Sequence, residues 1–144
     1  MMKCNLVFYL ARKTSYCEKA LKKALSKLSV ELNTVSASTT PLMLGEKLTS
    51  ALSTCNLVFI VGGLGFSGEN RLSDVLSRAL ASTKVTINDV RKLTNSVGKN
   101  SGYLIRSGNQ LMVALPDNPE ELSAMLSPQL KAYIADMYNL KVIL

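Results

Sequence analysis

Residues 57–61 read LVFIV, five apolar residues in a row with no polar position between them. A half-exposed strand alternates apolar and polar side chains, so an unbroken run of this kind belongs in a sheet covered on both faces. Two covered faces require helices on both sides of the sheet, and the flanking sequence supplies them. Cys17, Ala20, Leu21, Ala24, Leu25 and Leu28 recur at the spacing of one helical face and leave Lys19, Lys22, Lys23 and Lys27 on the other. Thr14 or Ser15 offers that helix an N-cap, and Ser15 with Glu18 three positions on has the pattern of a capping box. Thr40 before Pro41 starts a second helix, which Leu44, Leu48, Ala51, Leu52 and Cys55 continue on one face.

The remaining segments extend this alternation. Residues 5–11 and 30–36 have strand composition, and Leu72, Val75, Leu76, Ala79 and Leu80 mark a third helix. The polar stretch from Thr86 to Thr94 is expected to be partly helical, and residues 95–102 form the loosest segment. Residues 103–106 and 110–115 flank Ser107-Gly108-Asn109, a hairpin signal. The segment 116–121, PDNPEE, caps a short helix, and Ser127-Pro128 opens a last one. The expectation is an α/β fold, a three-layer sandwich with a mostly parallel sheet and an antiparallel hairpin. At 144 residues, without a repeat or linker, residues 1–144 are expected to form a single domain.

Seventeen Lys and Arg against ten Asp and Glu give a formal charge of +7, which favours encounters with anions. Three cysteines without a CxxC pair, and no histidine, argue against a zinc centre, so no metal site is expected. The sparse cysteines and the absence of a long apolar run lead to the expectation of a cytoplasmic protein that does not enter a membrane. The aromatic residues fall at core positions rather than among Lys and Arg, which disfavours nucleic acid as a partner.

The LVFIV run leads into Gly62, Gly63, Leu64 and Gly65. A strand that ends in glycines and feeds a helix can cradle a phosphate, because the backbone comes close and free N–H groups point at the anion. The same glycines also permit a sharp turn, and spacing alone leaves both readings open. Residues 63–68 satisfy G-x-G-x-x-G with Asp89 about 20 residues further on, as in a dinucleotide fingerprint. The motif nevertheless follows the third strand rather than the first. A P-loop is excluded because no lysine followed by Ser or Thr closes the loop.

Together, LVFIVGGLGFSGENRLSDVLSRAL and QLMVALPDNPEELSAMLSPQL resemble the molybdopterin-binding domain of molybdenum-cofactor biosynthesis enzymes and competence-damage-inducible proteins. In that family an apolar strand enters a Gly-Gly-Thr-Gly or Gly-Gly-Leu-Gly loop, and a later strand enters Pro-Gly-x-Pro before a helix. The resemblance covers nearly the whole chain. It implies a ligand site made of Gly62, Gly63, Leu64, Gly65, Ser67 and Asn70 from the first loop and Pro116, Asn118 and Pro119 from the second, with Ser101 nearby. The implied ligand is molybdopterin or a nucleotide, an anionic small molecule, and the implied assembly is a homo-oligomer, as in trimeric relatives.

The departures from the family pattern concern chemistry more than fold. The expected aspartate after the first loop is Asn70, and the following threonine is Leu72. Ser38-Thr39-Thr40 replaces an aspartate pair, Ala11-Arg12-Lys13 replaces an early Ser-Asp stretch, and Asp117 replaces the glycine of Pro-Gly-x-Pro. Adenylyl transfer uses carboxylates to hold magnesium, and an amide is a poorer ligand for that ion. The expectation is therefore a pterin-phosphate or nucleotide binding protein with reduced or no catalysis. The alternatives are a magnesium-dependent molybdopterin adenylyltransferase-like enzyme that recruits Glu69 or Asp74, and a non-catalytic oligomeric scaffold.

Overall fold

In the computed structural model, which describes residues 2–64, 72–80 and 87–141, the chain alternates strands and helices. The order is β1 (Met2–Tyr9), α1 (Thr14–Ser26), β2 (Val30–Ser38), α2 (Pro41–Thr54), β3 (Leu57–Val61), α3 (Leu72–Leu80), β4 (Asp89–Leu93), β5 (Gly102–Ser107), β6 (Gln110–Leu115), α4 (Pro119–Met125) and α5 (Pro128–Tyr138). The strands form one sheet in the order β2-β1-β3-β6-β5-β4. β1 is parallel to β2 and β3, and β3 to β6, whereas β5 runs antiparallel to both β6 and β4.

The LVFIV run becomes β3, near the middle of the sheet, with all five residues buried. Its side chains alternate between two cores, as the two-residue period of a strand requires. Leu57, Phe59 and Val61 join Leu21, Leu25, Leu122 and Ile134 under α1, α4 and α5. Val58 and Ile60 join Leu44, Leu48, Val75 and Leu76 under α2 and α3. Each fully buried aliphatic side chain contributes about 2 kcal/mol to folding. Lys19, Lys22 and Lys23 on the outer face of α1 and Lys27 at its C-cap are exposed, and Lys22 pairs with Glu18 at 3.0 Å.

Two local expectations are corrected. Helix α1 begins at Thr14, so neither Thr14 nor Ser15 caps it; the N-cap position is Lys13, with φ 53° and no side-chain cap bond. Glu18 consequently bonds Lys22 rather than reaching back to the helix start. Residues 89–93 are not helical but form the edge strand β4, with Asp89 opposite Arg106 and Leu93 opposite Gly102. Five residues of weak helical pattern lose to a ladder already presented by β5. The exposed Arg91 and Lys92 protect that edge from further strand pairing.

Asn5 is a fully buried polar residue within β1. Its amide nitrogen donates to Ala51 O and to Thr54 Oγ1, both at 2.8 Å. Its Oδ1 accepts from Thr34 N at 3.1 Å, Thr34 Oγ1 at 2.6 Å and Asn33 Nδ2 at 3.4 Å. The pairing of β1 with β2 shifts there, from Cys4 opposite Leu32 to Asn5 opposite Thr34, so Asn33 is an extra, bulged residue. Asn5 thereby satisfies the backbone donor that the bulge leaves without a ladder partner.

All three cysteines are free thiols in buried positions. Burial, with Cys55 adding to it, pushes the Cys4 thiol up from 9.0 to about 12. Burial first and Asp117 second push Cys17 up to about 11, against Lys13, which lowers it. Each folded-state value lies above the value for a solvated thiol, so the native state holds protons that the unfolded chain releases. Stability is then fully present below about pH 9 and falls as pH rises toward 11 and 12. Urea midpoints measured from pH 8 upward should decrease, and Cys4→Ala should flatten that decrease.

Candidate functional site

Because β1, β3 and β6 are mutually parallel, their carboxyl ends lie on one rim of the sheet. The chain leaves β1 for β2 on one side and returns to β3 on the other, so the connectivity reverses between neighbouring β1 and β3, the kind of point where open α/β sheets bind ligands. Three segments meet at this rim: residues 10–13 after β1, residues 62–64 after β3 and residues 116–118 after β6. In the sheet register Phe8 lies opposite Val61 and Val61 opposite Leu115. Gly62 N donates to Leu115 O at 3.0 Å, so the two loops singled out in the sequence begin side by side.

Gly62 and Gly63 are buried, with φ of 107° and 75°. A Cβ on Gly62 would fall on the carbonyl oxygen of Tyr9 and come within 3.0 Å of the Ala11 Cβ. A Cβ on Gly63 would lie 2.6 Å from the Tyr9 ring. These two glycines are therefore required by the close approach of β3's exit to the end of β1, and any added side chain would point into protein. Leu64 is half-buried and packs against the α2–α3 core. Gly65, Ser67, Asn70 and Glu69 lie outside the described residues.

In the second loop Pro116 is buried, while Asp117, Asn118 and Pro119 are half-buried. Asn118 is the N-cap of α4: its Oδ1 accepts from Glu120 N at 3.0 Å and Glu121 N at 3.2 Å, and Pro119 takes the first helical position. Ser101 precedes Gly102, the residue of β5 nearest this rim, so it stands beside the exit of β6. The loop before it is tied to α4 through Asn95. That side chain donates to Glu121 Oε1 at 2.7 Å and to Asn100 O at 2.9 Å, and accepts from Gly98 N at 2.9 Å. The pattern NSVGKNSG thus includes an organised turn rather than only a loose connection.

Sequence patterns did not disclose the contact between the second loop and the β1 exit. Asp117 Oδ2 accepts a hydrogen bond from Arg12 N at 2.7 Å, across 105 residues of chain. Leu10 and Lys13, on either side of it, have φ of 47° and 53°, in the left-handed region that non-glycine residues seldom occupy. Three further polar residues of the rim are structural. Ser38 is buried and donates to Phe8 O at 2.8 Å, Thr40 caps α2 by accepting from Met43 N, and Thr39 donates to Met43 Sδ. Asp74 is exposed in the first turn of α3, and Asp89 is bonded to Arg91 on β4.

Magnesium is usually held by one or two carboxylates together with substrate phosphates and water. Among the described residues no group of three or more carboxylate, thiol or imidazole side chains could hold a metal ion. The Asp117 carboxylate is already bonded to a main-chain N–H, with Arg12 adjacent. Asp117 is the one carboxylate in the described rim segments 10–13, 62–64 and 116–118, which gives a magnesium ion little to bind. No helix among the described residues is long and apolar enough to cross a membrane.

No family model and no curated protein matches the sequence, but solved structures match the fold over almost its whole length. The molybdopterin biosynthesis enzyme MoaB from Thermus thermophilus superposes with a TM-score of 0.72 at 16% identity, covering 99% of both chains. The molybdopterin biosynthesis Mog protein from Mycobacterium ulcerans gives 0.65 at 18% identity over 96% of this chain and 99% of that one. CinA from Thermoplasma acidophilum, a protein of unknown function, gives 0.65 at 17% identity over 94% and 98%. The chain has the α/β fold of the MoaB, Mog and CinA-type domain, as its sequence resemblance implied.

Proposed function

We propose that this protein binds an anionic pterin phosphate, molybdopterin or its adenylated form, at the carboxyl rim of β1, β3 and β6. The observation that carries this reading is the junction of the two loops, fixed by the Gly62 N to Leu115 O bond at the end of a parallel pair. Open α/β sheets hold ligands at such a rim, and the exposed Arg12 and Lys13 make it attractive to anions. The solved structures with this fold that are named for molybdopterin biosynthesis support the choice of ligand class.

Substituting Gly63 is a poor test of binding, because its side chain would strike the Tyr9 ring and disturb folding. Ser101→Phe is a better one, since Ser101 is half-exposed at the rim. Molybdopterin titrated into the wild-type protein should bind with a dissociation constant of about 1 μM or tighter, and Ser101→Phe should weaken it about tenfold or more. No binding of either molybdopterin or its adenylated form at millimolar concentration would end this reading. We further propose that adenylyl transfer is weak or absent: ATP and magnesium added with molybdopterin should give no turnover above background. A rate that Glu69→Gln abolishes would establish the opposite.

A further inference from the structure

We infer that the anionic end of the ligand is taken directly by the β1–α1 loop, with Arg12 and Lys13 as its charge partners and no divalent cation between them. This inference rests on the rim being the binding site, as proposed above, and adds which residues receive the phosphate and on what terms.

The first support is position. The strand order β2-β1-β3 places the reversal of connectivity at β1, so residues 10–13 follow the strand at the switch point where open α/β sheets accommodate ligands. The second is backbone conformation. Leu10 and Lys13 are both left-handed, and such residues persist only where surrounding bonds hold them. Here Leu10 N donates to Ser38 O at 3.1 Å, Arg12 N to Asp117 Oδ2 at 2.7 Å, and Lys13 O accepts from Cys17 N at 2.9 Å. The loop is fastened at three points, and two adjacent cationic residues stand exposed on it.

The third support is charge. The two ion pairs among the described residues are Lys22 with Glu18 and Arg91 with Asp89, so neither Arg12 nor Lys13 is neutralised by a described carboxylate within bonding distance. Asp117 engages the loop through a main-chain N–H instead. Lys13 and Asp117 act in opposite senses on the Cys17 thiol, which places both charges beside the first turn of α1. Among the described residues of the three rim segments, two cations stand against one carboxylate, a net positive charge. Charge-assisted bonds from Arg and Lys to phosphate oxygens can supply the neutralisation that a metal ion would otherwise provide. The described rim segments hold one carboxylate, Asp117, against these two cations, so the chain offers a phosphate more direct charge partners than magnesium ligands.

Asp117 has a double part in this arrangement. Its hydrogen bond positions Arg12, while its negative charge opposes the incoming anion. Asp117→Asn keeps an oxygen that accepts from Arg12 N and removes the charge, so it should tighten binding by a few-fold. Removing the cations should act the other way.

The test is a titration with molybdopterin in EDTA and again in excess magnesium, using the full chain. Arg12→Gln with Lys13→Asn is the informative double variant, because both side chains are exposed and asparagine tolerates the left-handed backbone at position 13. The expected results are equal wild-type affinity in the two buffers within about twofold, and a loss of about tenfold or more in the double variant. Binding that disappears in EDTA, or a double variant that binds like wild type, overturns the inference while the rim reading stands. A wild-type protein that binds neither form of the ligand in either buffer overturns the rim reading, and this inference with it.

Discussion

Gly62→Ala is expected to cost about 4 kcal/mol of folding stability, from left-handed strain and overpacking together. The φ of 107° lies where an L side chain is strained, and the added methyl would collide with the Tyr9 carbonyl oxygen. That oxygen belongs to the end of β1, which the sheet holds in place, so the collision cannot be relieved by turning a side chain. Gly63→Ala provides the comparison. Its methyl would meet the Tyr9 ring at 2.6 Å, and a ring can move, so about 2 kcal/mol is expected. Urea unfolding of the two variants decides the matter; equal, small losses would mean that β3 does not leave the sheet as described.

Replacing Asn5 with leucine should cost about 3 kcal/mol, although the change places an apolar residue in a buried position. Leucine cannot accept from Thr34 N, and the bulge at Asn33 offers that donor no ladder partner. The Thr54 hydroxyl also loses its 2.8 Å bond from Asn5 and keeps only the weaker local one to Ala51 O. Hydrogen exchange should localise the damage to the β1–β2 pair and the C-terminal turn of α2. A leucine variant as stable as wild type would show that the bulge is satisfied in another way.

Both variants concern close contacts between segments distant in sequence, and this marks the boundary of what the sequence disclosed. The unbroken run at 57–61, the apolar stripes of α1 and α2, and the Thr40-Pro41 and Ser127-Pro128 starts were legible because each depends on neighbours within one or two turns. The hairpin of β5 and β6 was legible for the same reason, its turn lying between the strands it joins. Strand β4 was not, since its charged residues become a strand only through pairing with β5. The true start of α1 was also hidden: Thr14 and Ser15 are good caps, but the left-handed backbone at Lys13 places the boundary one residue ahead of them.

The candidate site divides along the same line. Glycines at 62 and 63 were visible, yet their reason, the nearness of Tyr9 and Ala11, came only with the sheet order that sets β3 beside β1. Asn118 stood out as part of a loop motif, and its side-chain oxygen proves to cap α4. Asp117 read as a charge misplaced beside an expected anion, and its bond to Arg12 N gives that charge a structural part.

By itself, the order of apolar and polar residues determined the layered α/β architecture, because burial is proportional to apolar area and each element carries its own periodic stripe. Only the tertiary structure decided which loops share the rim, why the glycines are needed and what Asp117 touches. Those outcomes depend on short-range contacts between segments far apart in the chain, and hydrogen bonds and steric overlap act only over a few ångströms once the sheet has brought the segments together.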